Sequence, residues 1–561
     1  MDRRCRHPDE PRRNAKAVLG RLAVLAVLAG ATLLPSGCVP AGIRQYVHNG
    51  FKVGPNYEKP PAPLAMSWIQ ADDPRTHGPP PSDGQWWEAF GDPVLNGLVA
   101  VAYRQNPDLR SAGTRIIEAR AQQAIAVGNV LPQSQRILAF DAYANAGRNS
   151  TTVIPSNIGI AGFNLNWELD FWGKYRRQVE SANASLDSSV ESYDAALVTL
   201  LADVAANYVQ YRVAQLQIRI AESNLQLQSQ LVSVVDQQLR VGTANRLDAE
   251  QLRTLLEQTR STIPALEISR GQANDRLCIL LGEPPRDLEP DLGPGPDLGS
   301  LPLPLTPAVV AAGVPADLIR RRPDVRGAER QIAAQSAQIG VAKADLFPSI
   351  SIGTILGHQS ISAFGLLKSS GGLAAIIPQV SWNVLNYGRI VNNVRYQDAR
   401  TQELVATYQN TVLRAAQEVQ TALRGFLRSQ EQAEALARSA SAAVAATAIE
   451  ERLFQEIRAD VNRLFTLANT RLQVQNQLAV AQGNIALNLI QVYRALGGGW
   501  ELRLAAEPPA VGAPAVKEPV GPPSAPGAMP SGPRPPDNLP EALPDPQPGA
   551  ATTPINSARG G

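Results

Sequence analysis

"RRPDVRGAERQIAAQ", residues 321–335, decides the fold, because a near copy, "RQNPDLRSAGTRIIEA", already stands at residues 104–119. With Pro107 placed over Pro323, "PDLRSAGTRIIEARAQQAIAVGNVLP" aligns with "PDVRGAERQIAAQSAQIGVAKADLFP" without a gap. Identities fall at Pro107, Asp108, Arg110, Ala112, Ile116, Ala121, Gln122, Ala126 and Pro132. About nine matches in roughly twenty-six positions at one fixed offset is far above chance. Further along, "NWELDFWGK" from Asn166 answers "SWNVLNYGR" from Ser381, pairing Trp167 with Trp382 and Gly173 with Gly388. "YDAALVTLLADV" from Tyr193 answers "YQNTVLRAAQEV" from Tyr408, pairing Asp203 with Glu418. The repeating unit is about 190 residues, too long for a solenoid module and right for a duplicated half-molecule.

Each half has the same internal order. An Ala- and Gln-rich helix comes first, expected over about Pro93 to Val130 and Pro315 to Leu346. Both end at the same punctuation, Leu131-Pro132 and Phe347-Pro348, where proline stops the helix. A β-hairpin follows, then a very long helix, a short turn and a return helix. From Phe163 to Asp170 the chain alternates strictly, with Phe163, Leu165, Trp167 and Leu169 against Asn164, Asn166, Glu168 and Asp170. "SISIGTIL" from Ser349 and "QVSWNV" from Gln379 do the same. Period-two alternation puts the apolar groups on one face of a strand. Trp167, Phe171, Trp172, Trp382 and Tyr387 cluster at strand ends, as amphipathic rings do where a barrel meets the lipid boundary.

The helices after the hairpins are too long for a compact core. From Lys174 to about Val234 there is neither proline nor glycine, and from Arg389 to about Arg458 only Gly425 interrupts. Some 60 residues at 1.5 Å each reach roughly 90 Å, which calls for a coiled coil or a wall of helices side by side. Each half supplies two strands, so one chain supplies four. Four strands cannot close a membrane barrel, and open edges are not tolerated in lipid. The sheet must be completed by other copies, although strand counting alone leaves two copies and three both open.

The remaining composition excludes more than it suggests. Over 561 residues the formal net charge is +2, which gives no field for gathering nucleic acid. His7, His48, His77 and His358 are scattered without ligand-like spacing, so no metal, cofactor or catalytic cluster is expected. A basic N-terminus precedes the uncharged stretch "LAVLAVLAGATLLPSGC", Leu22 to Cys38. Broken by Gly30 and Pro35, it is short for a membrane span and suits a secretory signal. Ser36-Gly37 before Cys38 resembles a bacterial lipobox, with Pro35 where Leu is usual, and this marks Cys38 as the lipid-attachment residue. Once the signal is removed, Cys278 is left without a disulfide partner.

Taken together, the chain resembles the TolC-like outer-membrane efflux proteins, in the lipoprotein branch typified by OprM and the NodT-type factors. Three landmarks carry the resemblance: "VGPNYEKP" from Val53, "WWEAFGDPVLNGLVAVAYRQNPDL" from Trp86, and "RRPDVRGAE" from Arg321. The fold it implies is an α+β membrane protein, internally duplicated, forming a trimeric 12-stranded β-barrel (four strands per chain) continued by a long periplasmic α-helical barrel. It also implies an exit duct for small molecules such as drugs. The implied partners are a periplasmic adaptor and an inner-membrane pump of the resistance-nodulation-division type. Domain limits follow: signal peptide 1–37, lipidated segment 38–92, first repeat 93–312, second repeat 313–504, and a Pro-, Gly- and Ala-rich tail 505–561 expected to lack fixed structure.

"RVGTANRLD", Arg240 to Asp248, is similar to the family's helical tip at the periplasmic mouth. The resemblance makes Val241, Gly242, Thr243 and Ala244 the adaptor contact and Asp248 part of the gate. In the second tip, "EIRADVNRLFTLANTR", the family's ring of aspartates is replaced by Phe465 and Ala468, leaving Glu456 and Asp460 as substitute gate acids. Rival readings are protein secretion or heavy-metal export within the family and, outside it, a trimeric coiled-coil adhesin or a periplasmic adaptor. An adhesin anchor keeps its strands at one chain end, and an adaptor needs compact β modules that this sequence lacks.

Overall fold

The computed structural model describes residues 46–78, 84–146, 154–293, 304, 306–360, 372–455 and 461–504, all within the compact unit Met1–Ala513. The first half contains α1 (Pro93–Gln105), α2 (Pro107–Gly128), β1 (Ser134–Ala146), β2 (Ile154–Leu169), α3 (Lys174–Arg240) and α4 (Arg246–Leu281). The second contains α5 (Pro323–Ala344), β3 (Ser349–Ser360), β4 (Gly372–Ser381), α6 (Arg389–Gln455) and α7 (Val461–Ala495). The duplication reaches element length. Helices α2 and α5 have 22 residues each, and α3 and α6 have 67 each. At 1.5 Å per residue the two long helices extend about 100 Å. No described helix is long and apolar enough to cross a membrane.

The leading helix is not continuous as the composition suggested. Asn106 is extended (φ −60°, ψ 122°) and separates α1 from α2, because the ring of Pro107 crowds the residue before it out of the helical region. Arg322 is likewise extended (φ −74°, ψ 118°) ahead of Pro323, so the second leading helix is also broken, into a short helical stretch, Pro315–Asp317 and Leu318–Arg321, and α5. The break is useful. Asn106 caps α2 by accepting from Leu109 N at 2.8 Å and donates to the Leu280 carbonyl at 2.9 Å, tying α2 to the end of α4. Arg322 does the equivalent job with a longer arm, donating to the Ala495 carbonyl at the end of α7 at 2.9 Å.

The four strands form one antiparallel sheet in the order β1-β2-β3-β4. Each half is a hairpin, and the halves join through β2 and β3, with Trp167 opposite Ile352. The alternating stretch from Gln379 was expected to remain a strand through Val384; β4 instead ends at Ser381. Below the sheet the helices pack around a core in which Trp86, Trp87, Phe90, Tyr208, Tyr408 and Phe426 are all essentially inaccessible. Trp86 stacks on Tyr493 with ring centres 5.3 Å apart, joining "WWEAF" to the last helix. Burying a ring such as that of Phe90 or Phe426 contributes about 1.5–3 kcal/mol by removing it from water.

The "VGPNYEKP" landmark acts as a strap across the halves. Fully buried Arg177 of α3 donates to the carbonyls of Val53 at 3.2 Å and Gly54 at 3.3 Å, and to the Asn56 side chain at 3.0 Å. Lys59 reaches Glu329 of α5 at 2.6 Å. Burial alone would push the Glu329 carboxyl up, but hydrogen bonding and charge from Lys59, with Arg330 nearby, hold it below its ordinary value. Gly54 has φ +91°, and a Cβ there would stand 2.5 Å from the Cα of Gly340. Gly54→Ala therefore forces both a left-handed alanine and a backbone collision. We expect it to cost at least about 1–3 kcal/mol and to release the strap to protease. Unchanged melting and unchanged cleavage between Tyr46 and Pro60 would contradict this account.

Candidate functional site

At the far end of α3 the chain reverses in five residues, Val241 to Asn245. Val241 closes the helix, its N–H reaching the Gln237 carbonyl at 3.2 Å, and its apolar side chain is 75% exposed. Gly242 follows with φ +79°, and no heavy atom lies within 4 Å of where its Cβ would be. Backbone conformation, rather than crowding, requires glycine here. Thr243 and Ala244 both direct their N–H groups to the Gln238 carbonyl, at 2.9 and 3.3 Å. Asn245 then caps α4, accepting from Asp248 N at 2.9 Å, while the Asp248 carboxylate accepts from Asn245 N at 3.3 Å. This capping box gives Asp248 a structural duty that the family resemblance did not suggest.

Beneath the turn lies a small apolar cluster of Leu231, Val235, Ala249 and Leu252 with Phe454, Val461 and Leu464, which joins the first tip to the second. Gln238 strengthens the join, donating to the Phe454 carbonyl at 3.4 Å. On the body side of this cluster, polar groups join the helices beside a third apolar cluster of Leu216, Ile220, Leu472 and Ala479. Asn224 donates to Gln475 at 3.0 Å, and Glu451 faces Arg471 at 3.6 Å. Burial pushes the Glu451 carboxyl up, with Arg471 opposing. Ala468 is only 2% exposed within the subunit and Phe465 is half-buried. Ala468 therefore packs against neighbouring helices instead of standing free at a constriction. Glu456 and Asp460 lie outside the described residues, as does Cys38.

At the opposite end the five aromatic residues differ in their surroundings. Trp167 donates its indole N–H to the Val130 carbonyl at 3.1 Å, and Trp382 donates to the Leu346 carbonyl at 3.0 Å. These are equivalent contacts in the two halves. Trp172 stacks on Phe347 with ring centres 4.5 Å apart and donates to the Pro348 carbonyl at 2.8 Å. Phe171 packs edge-on against Trp172 at 4.8 Å, whereas Tyr387 is 96% exposed and has no comparable neighbour among the described residues. Sequence reading missed Phe347, the partner of Trp172, and Arg177, the grip on the strap. Pro348 beside Phe347 carried a repeat signal, but nothing local distinguishes Arg177 from Arg176. Among the described residues no group of His, Cys, Asp or Glu could hold a metal ion.

A sheet with open edges set on a pair of helical hairpins about 100 Å long defines the class, an outer-membrane channel with a helical stalk. The model of the outer membrane efflux protein family matches residues 98–283 and 314–498, and the chain belongs to that family. Nodulation protein T of Rhizobium leguminosarum bv. trifolii is 29% identical over 465 residues, covering 81% of this chain and 91% of that protein. The toluene efflux pump outer membrane protein TtgF of Pseudomonas putida is 28% identical over 479 residues, covering 81% and 95%. The solved outer-membrane channel OprN superposes with a TM-score of 0.74 at 30% identity, covering 80% of this chain and 99% of that one. The fold is thus that of the trimeric outer-membrane efflux channels, with a helical periplasmic barrel, and the protein is an efflux exit duct of the outer membrane.

The turn geometry makes the tip separable from the body. Asn245→Ala removes the cap of α4 and should cost about 1 kcal/mol locally. Hydrogen exchange should quicken from Thr243 to Leu252 and stay unchanged around Trp86. Equal protection of both regions in the variant and the parent would rule out a locally held tip.

Proposed function

We propose that this chain, as a homotrimer, is the passive exit duct of a tripartite efflux system for small molecules such as drugs. A periplasmic adaptor and an inner-membrane pump of the resistance-nodulation-division type supply the energy and the cargo. The observation that carries this reading is the turn at Val241–Ala244. It presents an exposed apolar side chain and an open glycine to solvent, about 100 Å along α3 from the sheet. That is the disposition a partner from the inner membrane would need in order to dock. The Cys38 lipid would add an anchor in the outer membrane. Asp248, Glu456 and Asp460 are the acids proposed to act at the gate. The duct performs no chemistry, so the proposal needs neither a catalytic residue nor a cofactor.

Deleting the gene should lower resistance to lipophilic drugs several-fold, and the wild-type chain should restore it. Thr243→Cys should cross-link to the adaptor in whole cells. Restored resistance with no cross-link from Thr243, nor from Cys at Val241 or Ala244, would show that the adaptor docks elsewhere.

The second tip carries Phe465 and Ala468 where the resemblance places an acidic ring. Single-channel recordings should therefore show weaker block by divalent cations than in relatives that keep those aspartates. Strong divalent block would overturn that expectation.

A further inference from the structure

Where α5 begins and α7 ends, the helical wall leaves a gap between α3 and α6, occupied by a cavity of about 750 Å³. Arg322, Arg414 and Arg494 line it with Asp324 and Glu418, while Val198 and Ala422 add an apolar patch. The charges are unequally committed. Arg322 is saturated, donating to Asp324 at 2.7 Å, to Glu418 at 2.8 Å and to the Ala495 carbonyl at 2.9 Å. Those bonds engage both acids as well. Arg494 stands 3.6 Å from Asp203, a loose contact, and burial pushes the Asp203 carboxyl up, with Arg494 opposing. Arg414 is exposed and has no ion pair or hydrogen bond among the described residues. An entering molecule therefore meets acids already paired and guanidinium donors that are not.

Duplication shows that the fold does not require these arginines. The shift that pairs Asp203 with Glu418 also pairs Thr199 with Arg414, Ile279 with Arg494 and Gly282 with Gly497. Gly282 and Gly497 follow α4 and α7 with similar left-handed φ, +79° and +76°. Asn106 and Arg322 hold the same break. The first half thus builds the same junction with an asparagine, a threonine and an isoleucine where the second has three arginines. Arg322 has a structural duty that Asn106 shares. Arg414 and Arg494 have none that an uncharged residue cannot fill.

The cavity opens on the bare face of the helical layer. Gln420 of α6 accepts from Ile69 N at 3.1 Å, and the Leu427 carbonyl accepts from Arg75 at 3.3 Å, so the N-terminal segment covers that side. Counting along α6, Glu418 lies about 160° and Arg414 about 120° round the helix from Gln420. On α3, Arg212 grips the Leu292 carbonyl at 2.6 Å, and Asp203 falls on the opposite side of that helix. Connecting segments on the inner side of a tube would obstruct passage, so the uncovered face is the one that lines the duct.

Resting on the exit-duct reading above, we propose that this cavity is a wall site for organic anions. Arg414 and Arg494 hold the oxyanion group of the cargo, and Val198 and Ala422 receive its apolar part. The planar guanidinium fork matches carboxylate, phosphate and sulfonate alike, and the volume suits a small organic molecule. A trimer carries one such site per copy, at one level of the duct.

The test uses the full-length trimer in discs of neutral lipid, titrated with naphthalene-2-sulfonate by calorimetry at low salt. Arg414→Thr with Arg494→Ile copies the first half into the second and should weaken binding at least about tenfold. Arg414→Lys, which keeps the charge, should weaken it less. Arg276→Gln, at an exposed arginine of α4 outside this cavity, should leave binding unchanged. The cationic analogue naphthyltrimethylammonium should not bind. No binding to the parent, equal affinity in the double variant, or equal binding of the cation would overturn the site. Should the double variant lose its trimer, Arg414→Thr alone carries the comparison, and an unchanged affinity there would be equally fatal. The duct is judged separately. A parent chain that restores drug resistance but does not bind the sulfonate overturns the anion site and leaves the duct standing. One that binds it without restoring resistance overturns the duct reading, and with it the cargo role, but not the anion site.

Discussion

Every N–H and C=O along the outer edges of β1 and β4 is left without a strand partner in a single copy, and in hydrocarbon there is no water to take its place. Each such group costs several kcal/mol when buried unpaired, and β1 alone is 13 residues long. No arrangement of the helices below can relieve that cost. A chain with this sheet can occupy a membrane only with its edges joined to other strands, and identical copies supply them with the right curvature and repeat. Placing this sheet in hydrocarbon is therefore coupled to oligomerisation.

Duplication makes that closure economical in shape. The two halves match in their leading helices, 22 residues each, and in their long helices, 67 residues each, the near-equivalent units that a ring of copies requires. Differences between the halves concentrate where a side chain changes class. Asn106 and Arg322 occupy the same break and reach the same kind of carbonyl, one with a short amide and the other with a guanidinium. Arg322 also meets Asp324 at 2.7 Å and Glu418 at 2.8 Å, a set of charges that the first half does not reproduce at Asn106.

Stability is unevenly distributed along the stalk. The large aromatic core sits around Trp86, whereas the tip is held by a cluster of only a few buried residues, Leu231, Val235, Ala249, Leu252, Phe454, Val461 and Leu464. Between the two lie a smaller apolar cluster of Leu216, Ile220, Leu472 and Ala479 and polar contacts such as Asn224 with Gln475. An end held by few apolar contacts opens locally at lower free energy than the body. That suits the docking role proposed for the turn at Val241–Ala244.

Much of this was legible in the sequence, for physical reasons that can be named. Alternation, proline punctuation and unbroken helical stretches are local signals, so the hairpins, the long helices and the tip turn at Gly242 could be read directly. The break before Pro107 was also local, but it was overlooked beneath the continuous Ala and Gln pattern. Long-range facts could not be read: that Arg177 is buried against the strap, that Ala468 faces other helices, that Asp248 caps α4 from within a box. By itself the sequence determined a duplicated chain with too few strands to close a barrel, since periodicity and strand number depend only on neighbours along the backbone. Tertiary structure alone decided which residues of β2 and β3 face one another and that β4 ends short of Val384, because strand register and burial are set by partners far away in the chain.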